Sequence, residues 1–162
     1  TNRPGTGCFI LKKMKQSATP WQEKLHKNQP PEVKEGPESW NLRSGGSRML
    51  IATPQLVYNK VKTIPKGEVM TMGQLREKLA ADFDADYTCP LTAGIFFRIA
   101  AEAAEEMSTE GAAPELPWWR VVPDNHRLNN RLPGNGLLQA ERLRDEGFRV
   151  ETKDMITFRV LL

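Results

Sequence analysis

Prolines, glycines and capping residues cut residues 49–162 into short segments, and this punctuation most narrows the folds open to the chain. A short apolar run, Met49 to Ala52, leads to Thr53, a good N-cap, and to Pro54 at the first helical position. The helix predicted over 54–63 carries Val57, Val61 and Ile64 at helical spacing and is stopped by Pro65-Lys66-Gly67. Thr71 and Gln74 form a T-x-x-Q capping box that opens a second helix over 72–81, with Leu75 and Leu79 one turn apart. After a polar loop, Asp82 to Tyr87, Pro90 opens a long helix over 90–107, with Ile95, Ile99 and Ala103 stacked on one face. Two helices joined by a turn are a helix-turn-helix candidate, a pattern that helical bundles share.

Downstream, Trp119 to Val122 reads as a strand, and Pro123-Asp124-Asn125 as a turn leading to Arg127–Arg131, a candidate wing. Leu137 to Glu146 is predicted to form a last helix closed by Gly147. Phe148 to Val150, with Ile156, Phe158 and Val160, alternates as a terminal hairpin. Upstream, Gln29 to Gly46 is rich in Pro, Gly, Ser and charge and reads as a linker or an extended wrap, on which Trp21 and Trp40 are expected to dock against the domain. The 162 residues suit one globular core, so the expected division is an extension over 1–48 and a domain over 49–162.

Composition excludes several classes. No apolar run approaches the roughly 20 residues of a membrane-spanning helix, and the Cys8–Leu11 stretch is shorter than a secretory h-region of about 7–15 residues. A cytoplasmic location is therefore expected, with no membrane partner. Cys8 and Cys89 lie far apart and, with only His26 and His126 beside them, give neither a disulfide framework nor a metal site. No cofactor is implied. The net charge of +3 is unevenly spread: residues 1–48 carry nine basic and four acidic side chains, residues 49–162 fourteen and sixteen. Charge alone thus does not mark the domain as a nucleic-acid binder.

Three stretches in the right order carry a resemblance. The first is Val57-Tyr58-Asn59-Lys60-Val61-Lys62-Thr63-Ile64-Pro65-Lys66-Gly67-Glu68-Val69 followed by Thr71-Met72-Gly73-Gln74-Leu75. The second is Pro117-Trp118-Trp119-Arg120-Val121-Val122, and the third is GNGLLQAERLRDEG over 134–147. They are similar to the I-P-x-G-x-V and [ST]-Y-x-Q-[LI] segment, the P-C-H-R-V-[VI] active site and the closing G-G-x-x-x-K-x-x-L-L-x-x-E-G helix of the alkylguanine-DNA alkyltransferases. The resemblance covers residues 50–150 and implies an α/β fold, the winged helix-turn-helix core of the alkyltransferase C-terminal domain type, here with an N-terminal extension.

In that family a cysteine thiolate takes the alkyl group from a flipped-out guanine, with a histidine and a glutamate lowering the thiol pKa. By position Trp118 stands for the cysteine, Trp119 for the histidine and Glu146 for the glutamate. Neither indole is a nucleophile or a base, so no catalytic residue is expected, and Glu146 is left to cap a helix or bind Arg120. The non-catalytic alkyltransferase-like relatives also carry Trp for the cysteine. This chain departs further, with Gly94 where the family inserts an arginine into the DNA stack and Met72 where it places a tyrosine.

Cys89, at a helix N-terminus, is the alternative nucleophile, read more simply as an N-cap. Arg98, one turn beyond Gly94, is either a displaced phosphate contact or a partner of Glu102. The acidic run Glu102, Glu105, Glu106 and Glu110 reads as a solvated face.

The expected DNA- or ligand-binding set is therefore Thr71, Met72, Gly94, Arg98, Trp118, Trp119, Arg120, Arg127 and Arg131, with Lys12, Lys13 and Lys15 available from the arm. Double-stranded DNA is the first expected partner. A protein or small molecule in a Trp118/Trp119 pocket is the alternative.

Overall fold

The computed structural model describes residues 20–108, 113–128 and 131–162. Cys8, Lys12, Lys13, Lys15, Glu110, Asn129 and Asn130 lie outside the described residues.

The helices begin where the sequence caps them. Helix α3 (Pro54–Val61) starts at Thr53, whose hydroxyl accepts the Leu56 N–H. Helix α4 (Met72–Asp82) starts with both halves of the Thr71–Gln74 box formed, at 3.2 and 2.9 Å. Helix α5 (Pro90–Met107) opens on proline as expected. Its buried residues are Ala93, Phe97, Ala100, Ala101, Ala103 and Ala104, so of the expected stack Ala103 is buried whereas Ile95 faces solvent. Small residues win because α5 packs against α3 on one flank and a short N-terminal helix, α1 (Trp21–Leu25), on the other. Alanines let helix axes approach closely, which a stripe of isoleucines would prevent.

Residues 20–48 are not a linker. They hold α1, strand β1 (Glu32–Glu35) and helix α2 (Glu38–Ser44), and β1 pairs antiparallel with β2 (Arg48–Ile51). Strand β2 in turn pairs parallel with β4 (Tyr87–Thr88), Leu50 facing Thr88. Leu25 is completely buried, and the backbone N–H groups of Trp21 and Gln22 donate to Glu106 at 3.1 and 3.0 Å. Trp21 docks as expected, its ring 5.4 Å from the Arg98 guanidinium. The Pro and Gly content that mimics a linker only separates these very short elements.

A second, two-stranded parallel sheet pairs β3 (Met70–Thr71) with β5 (Val121–Val122). It lays the start of α4 against the Trp118–Arg120 segment. The expected strand over 119–122 is a single 3-10 turn, Trp118–Arg120, followed by β5. Successive strand side chains face opposite ways, which would expose one indole. A three-residue turn sets them about 120° apart, so both can be buried.

Helix α6 (Leu137–Asp145) and the hairpin β6 (Arg149–Thr152) and β7 (Phe158–Leu161) complete the fold. Residues 126–128 add one antiparallel bridge to the edge of the hairpin. The Leu128 N–H donates to Phe158 and the Val160 N–H to His126, and Arg127 lies opposite Arg159. One core, including Val57, Leu75, Phe97, Trp118, Leu143 and Val160, joins the helix-turn-helix to this wing. No described helix is long and apolar enough to cross a membrane.

The turn before α6 depends on Gly134, whose φ is +79° and whose missing Cβ would collide with Leu138. Left-handed backbone costs a residue with a Cβ roughly 1–3 kcal/mol. Gly134→Ala is thus expected to lower the free energy of unfolding by that amount, read as a lower urea midpoint. An unchanged midpoint would contradict the packing described here.

Candidate functional site

The Pro117–Val122 segment sits between α3, α5 and α6. Trp118 is fully buried and Trp119 is 6 % exposed. Their rings meet edge to face, with centroids 6.2 Å apart. Buried indole N–H groups need acceptors, and each has a carboxylate. Trp118 Nε1 donates to Glu105 at 2.8 Å and Trp119 Nε1 to Glu146 at 2.9 Å.

Each carboxylate is also held by an arginine. Arg142 reaches Glu105 at 2.6 Å and lies over both indoles, 5.7 and 5.0 Å from their centroids. Arg120 binds Glu146 through Nε and Nη2 at 3.0 and 2.8 Å, and donates to the Ile64 carbonyl at 2.6 Å. Burial pushes the Glu146 carboxyl up, but the hydrogen bonds from Arg120 and Trp119 outweigh it and hold the group below its ordinary range. Behind them Gln139, fully buried, donates to the Trp119 and Val121 carbonyls at 3.2 and 2.8 Å.

This arrangement corrects three expectations. The Trp118/Trp119 pocket is a filled core, because two indoles with satisfied N–H groups occupy the space. Arg120 is bound on both sides by Glu146 and Ile64, so it is not presented to a phosphate. The acidic run is only partly a solvated face: Glu106 is exposed and receives the start of α1, but Glu102 pairs with Arg98 at 3.7 Å and Glu105 holds Trp118 and Arg142. Burial raises the Glu102 carboxyl despite Arg98. Arg98 follows the simpler of its two readings, and the Arg120–Glu146 pair is formed as expected. Cys89 is the buried N-cap position of α5, with its N–H on the Leu50 carbonyl.

A small cavity of about 260 Å3 does open beside the filled site. Met72, Gly94, Phe97, Val121, Pro123, Asp124 and Leu132 line it, so two expected residues, Met72 and Gly94, meet there. A Cβ on Gly94 would meet nothing within 4 Å, so packing does not require glycine at this place. Leu91 and Ile95 beside it on α5 are exposed.

Thr71 is used as the α4 cap. The Gly73 N–H, two residues on, donates to Asp124 at 2.9 Å, and Asp124 also lies 3.7 Å from Arg76. Arg127 and Arg131 are exposed on the wing side. Sequence reasoning missed Glu105, Arg142 and Gln139. The one available signal was that a buried Trp118 must find an acceptor.

A helix-turn-helix followed by a last helix packed on a terminal hairpin defines the class of domain. Residues 52–148 match the 6-O-methylguanine DNA methyltransferase, DNA binding domain, and the chain belongs to that family. Similar solved structures include S. pombe Atl1 in complex with damaged DNA containing O6-carboxymethylguanine. It is 22% identical with a TM-score of 0.45, over 67% of this chain and 88% of that one. S. pombe ATL in complex with DNA is 20% identical with a TM-score of 0.46, over the same shares. No curated protein matches the chain.

Proposed function

We propose that this protein is a non-catalytic, alkyltransferase-like DNA-binding protein that recognises duplex DNA and accepts no alkyl group. One observation carries the reading: both reactive positions of the family are buried indoles whose N–H groups are tied to Glu105 and Glu146. A thiolate nucleophile and an adjacent base are what alkyl transfer requires. Among the described residues the remaining thiol, Cys89, is itself buried at the start of α5. Base recognition then falls to the neighbouring cavity walled by Met72, Gly94 and Phe97, which is smaller than the about 300–1,000 Å3 of small-molecule sites and suits one edge of a base. With Gly94 in place of a wedge, extrusion is poor and binding depends little on sequence.

The mostly apolar lining of that cavity, broken by Asp124 and with Leu91 and Ile95 exposed beside it, also supports a second reading, in which an apolar ligand or peptide side chain occupies it. Incubation with O6-methylguanine duplex followed by intact-mass measurement is expected to show no methyl gain. Fluorescence anisotropy at two salt concentrations is expected to show salt-sensitive binding, with plain and alkylated duplexes within about tenfold, or ~1.4 kcal/mol. Gly94→Arg, for which there is open space, is expected to tighten binding. A methyl on either cysteine sinks the non-catalytic reading. No binding at low salt transfers the function to the apolar ligand.

A further inference from the structure

The places where a helix-turn-helix meets DNA are poor in positive charge in this fold. At the N-terminus of α4 the Gly73 N–H is taken by the Asp124 carboxylate and the Gln74 N–H by Thr71, where a phosphate oxygen would otherwise accept. The exposed first half of α5 presents Leu91 and Ile95, and Arg98 is engaged by Glu102 and Trp21. Arg76, Arg120 and Arg142 are likewise paired with carboxylates.

The wing differs. In the terminal hairpin Val160 and Phe158 point into the core, and the alternate residues point to solvent. Pairing puts Arg127 directly opposite Arg159 through a single bridge, and Arg159 opposite Glu151, in one row. Arg149 lies two residues before Glu151 on the same face. Lys153, Arg127, Arg159 and Glu151 line a groove of about 210 Å3. Among the described residues none of these four cations makes an ion pair. Asp154, at the hairpin tip, is turned onto the Thr157 and Ile156 N–H groups, which lower its pKa to about 2. Like charges directly across a strand pair are destabilising. An anion between Arg127 and Arg159 reverses that repulsion.

We propose that the solvent face of the terminal sheet, Arg127, Arg149, Lys153 and Arg159, is a phosphate-binding surface that holds the backbone of duplex DNA. The inference rests on the reading above that the protein binds DNA, and it moves the main electrostatic contact from the helix-turn-helix to the wing. Glu151 is the built-in brake on that surface.

The test is fluorescence anisotropy of the full chain with a plain duplex across a salt series. It compares wild type with Arg127→Ala/Arg159→Ala, Glu151→Gln and Lys34→Ala, with thermal unfolding run on each. Losing two phosphate contacts is expected to weaken low-salt binding at least tenfold and to reduce the slope of log K against log salt by about 1.8. Glu151→Gln is expected to tighten binding about threefold, a gain that misfolding cannot mimic. Lys34→Ala, a cation on β1 beside Glu32, is expected to bind as wild type. If wild type binds and the double variant and Glu151→Gln bind equally well, the wing proposal fails and the DNA reading survives. If wild type itself does not bind at low salt, both fall.

Discussion

Truncation of Trp118 to alanine is expected to remove about 3–5 kcal/mol of unfolding free energy, the range for deleting a buried aromatic side chain. That is a large part of the roughly 5–15 kcal/mol by which domains of this kind are stable. Trp118 is fully buried in the core that joins α3, α5, α6 and the wing, so the hole has walls from four elements and cannot close by a local shift. The substitution also removes the Glu105–Trp118 hydrogen bond and uncovers Arg142, whose guanidinium lies over the indole. Urea unfolding at neutral pH measures the loss. Trp118→Phe should recover much of it, since it refills the cavity and forfeits only the bond to Glu105. A loss under about 1.5 kcal/mol for Trp118→Ala would mean that the indole is not the core residue described here. The same reasoning implies that restoring cysteine at this position alone would open a cavity and leave the thiol beside Trp119, with no imidazole to activate it.

The helices that frame this site were legible in the sequence because their ends are local. Thr53 with Pro54, the Thr71–Gln74 box and Pro90 each cap their own next turn, and each starts a helix where expected. The Arg120–Glu146 pair was legible too, since two carried-over motifs place both residues. Burial of the indoles was not. It follows from Glu105, thirteen positions upstream, and from Arg142 on another helix, and neither proximity leaves a trace in periodicity. The same limit explains α5. Ranking by hydrophobicity put Ile95 inward, whereas contact with α1 and α3 selects the Ala93, Ala100 and Ala104 face. Strand β1 was hidden for a further reason. Glu32–Glu35 has one apolar residue, and its order comes from backbone pairing with β2, which composition does not encode.

Replacement of Glu146 by alanine is expected to cost about 3–5 kcal/mol, the range for breaking a buried ion pair by deleting one partner. The side chains of Arg120 and Glu146 are only 13% and 8% exposed, so the orphaned guanidinium cannot turn to water without leaving the Ile64 carbonyl. Trp119 Nε1 loses its acceptor at the same time. Glu146→Gln should cost less, because an amide oxygen still accepts from Trp119 while the charge is lost. The difference between wild type and Glu146→Gln then carries a pH signature. The folded-state pKa of Glu146 lies below the ordinary glutamate value of about 4.3. Between the two values the unfolded chain binds the extra proton, so stability rises with pH across that window. The contribution of the carboxylate is fully present above the ordinary value and is lost as pH falls through the folded one. Urea unfolding at about pH 7 and about pH 2.5 should therefore show the wild-type advantage over Glu146→Gln shrinking on acidification. An advantage that stays constant would place the stabilisation in shape rather than charge. The carboxylate that serves a reactive cysteine elsewhere in the family would then act in this chain only as packing.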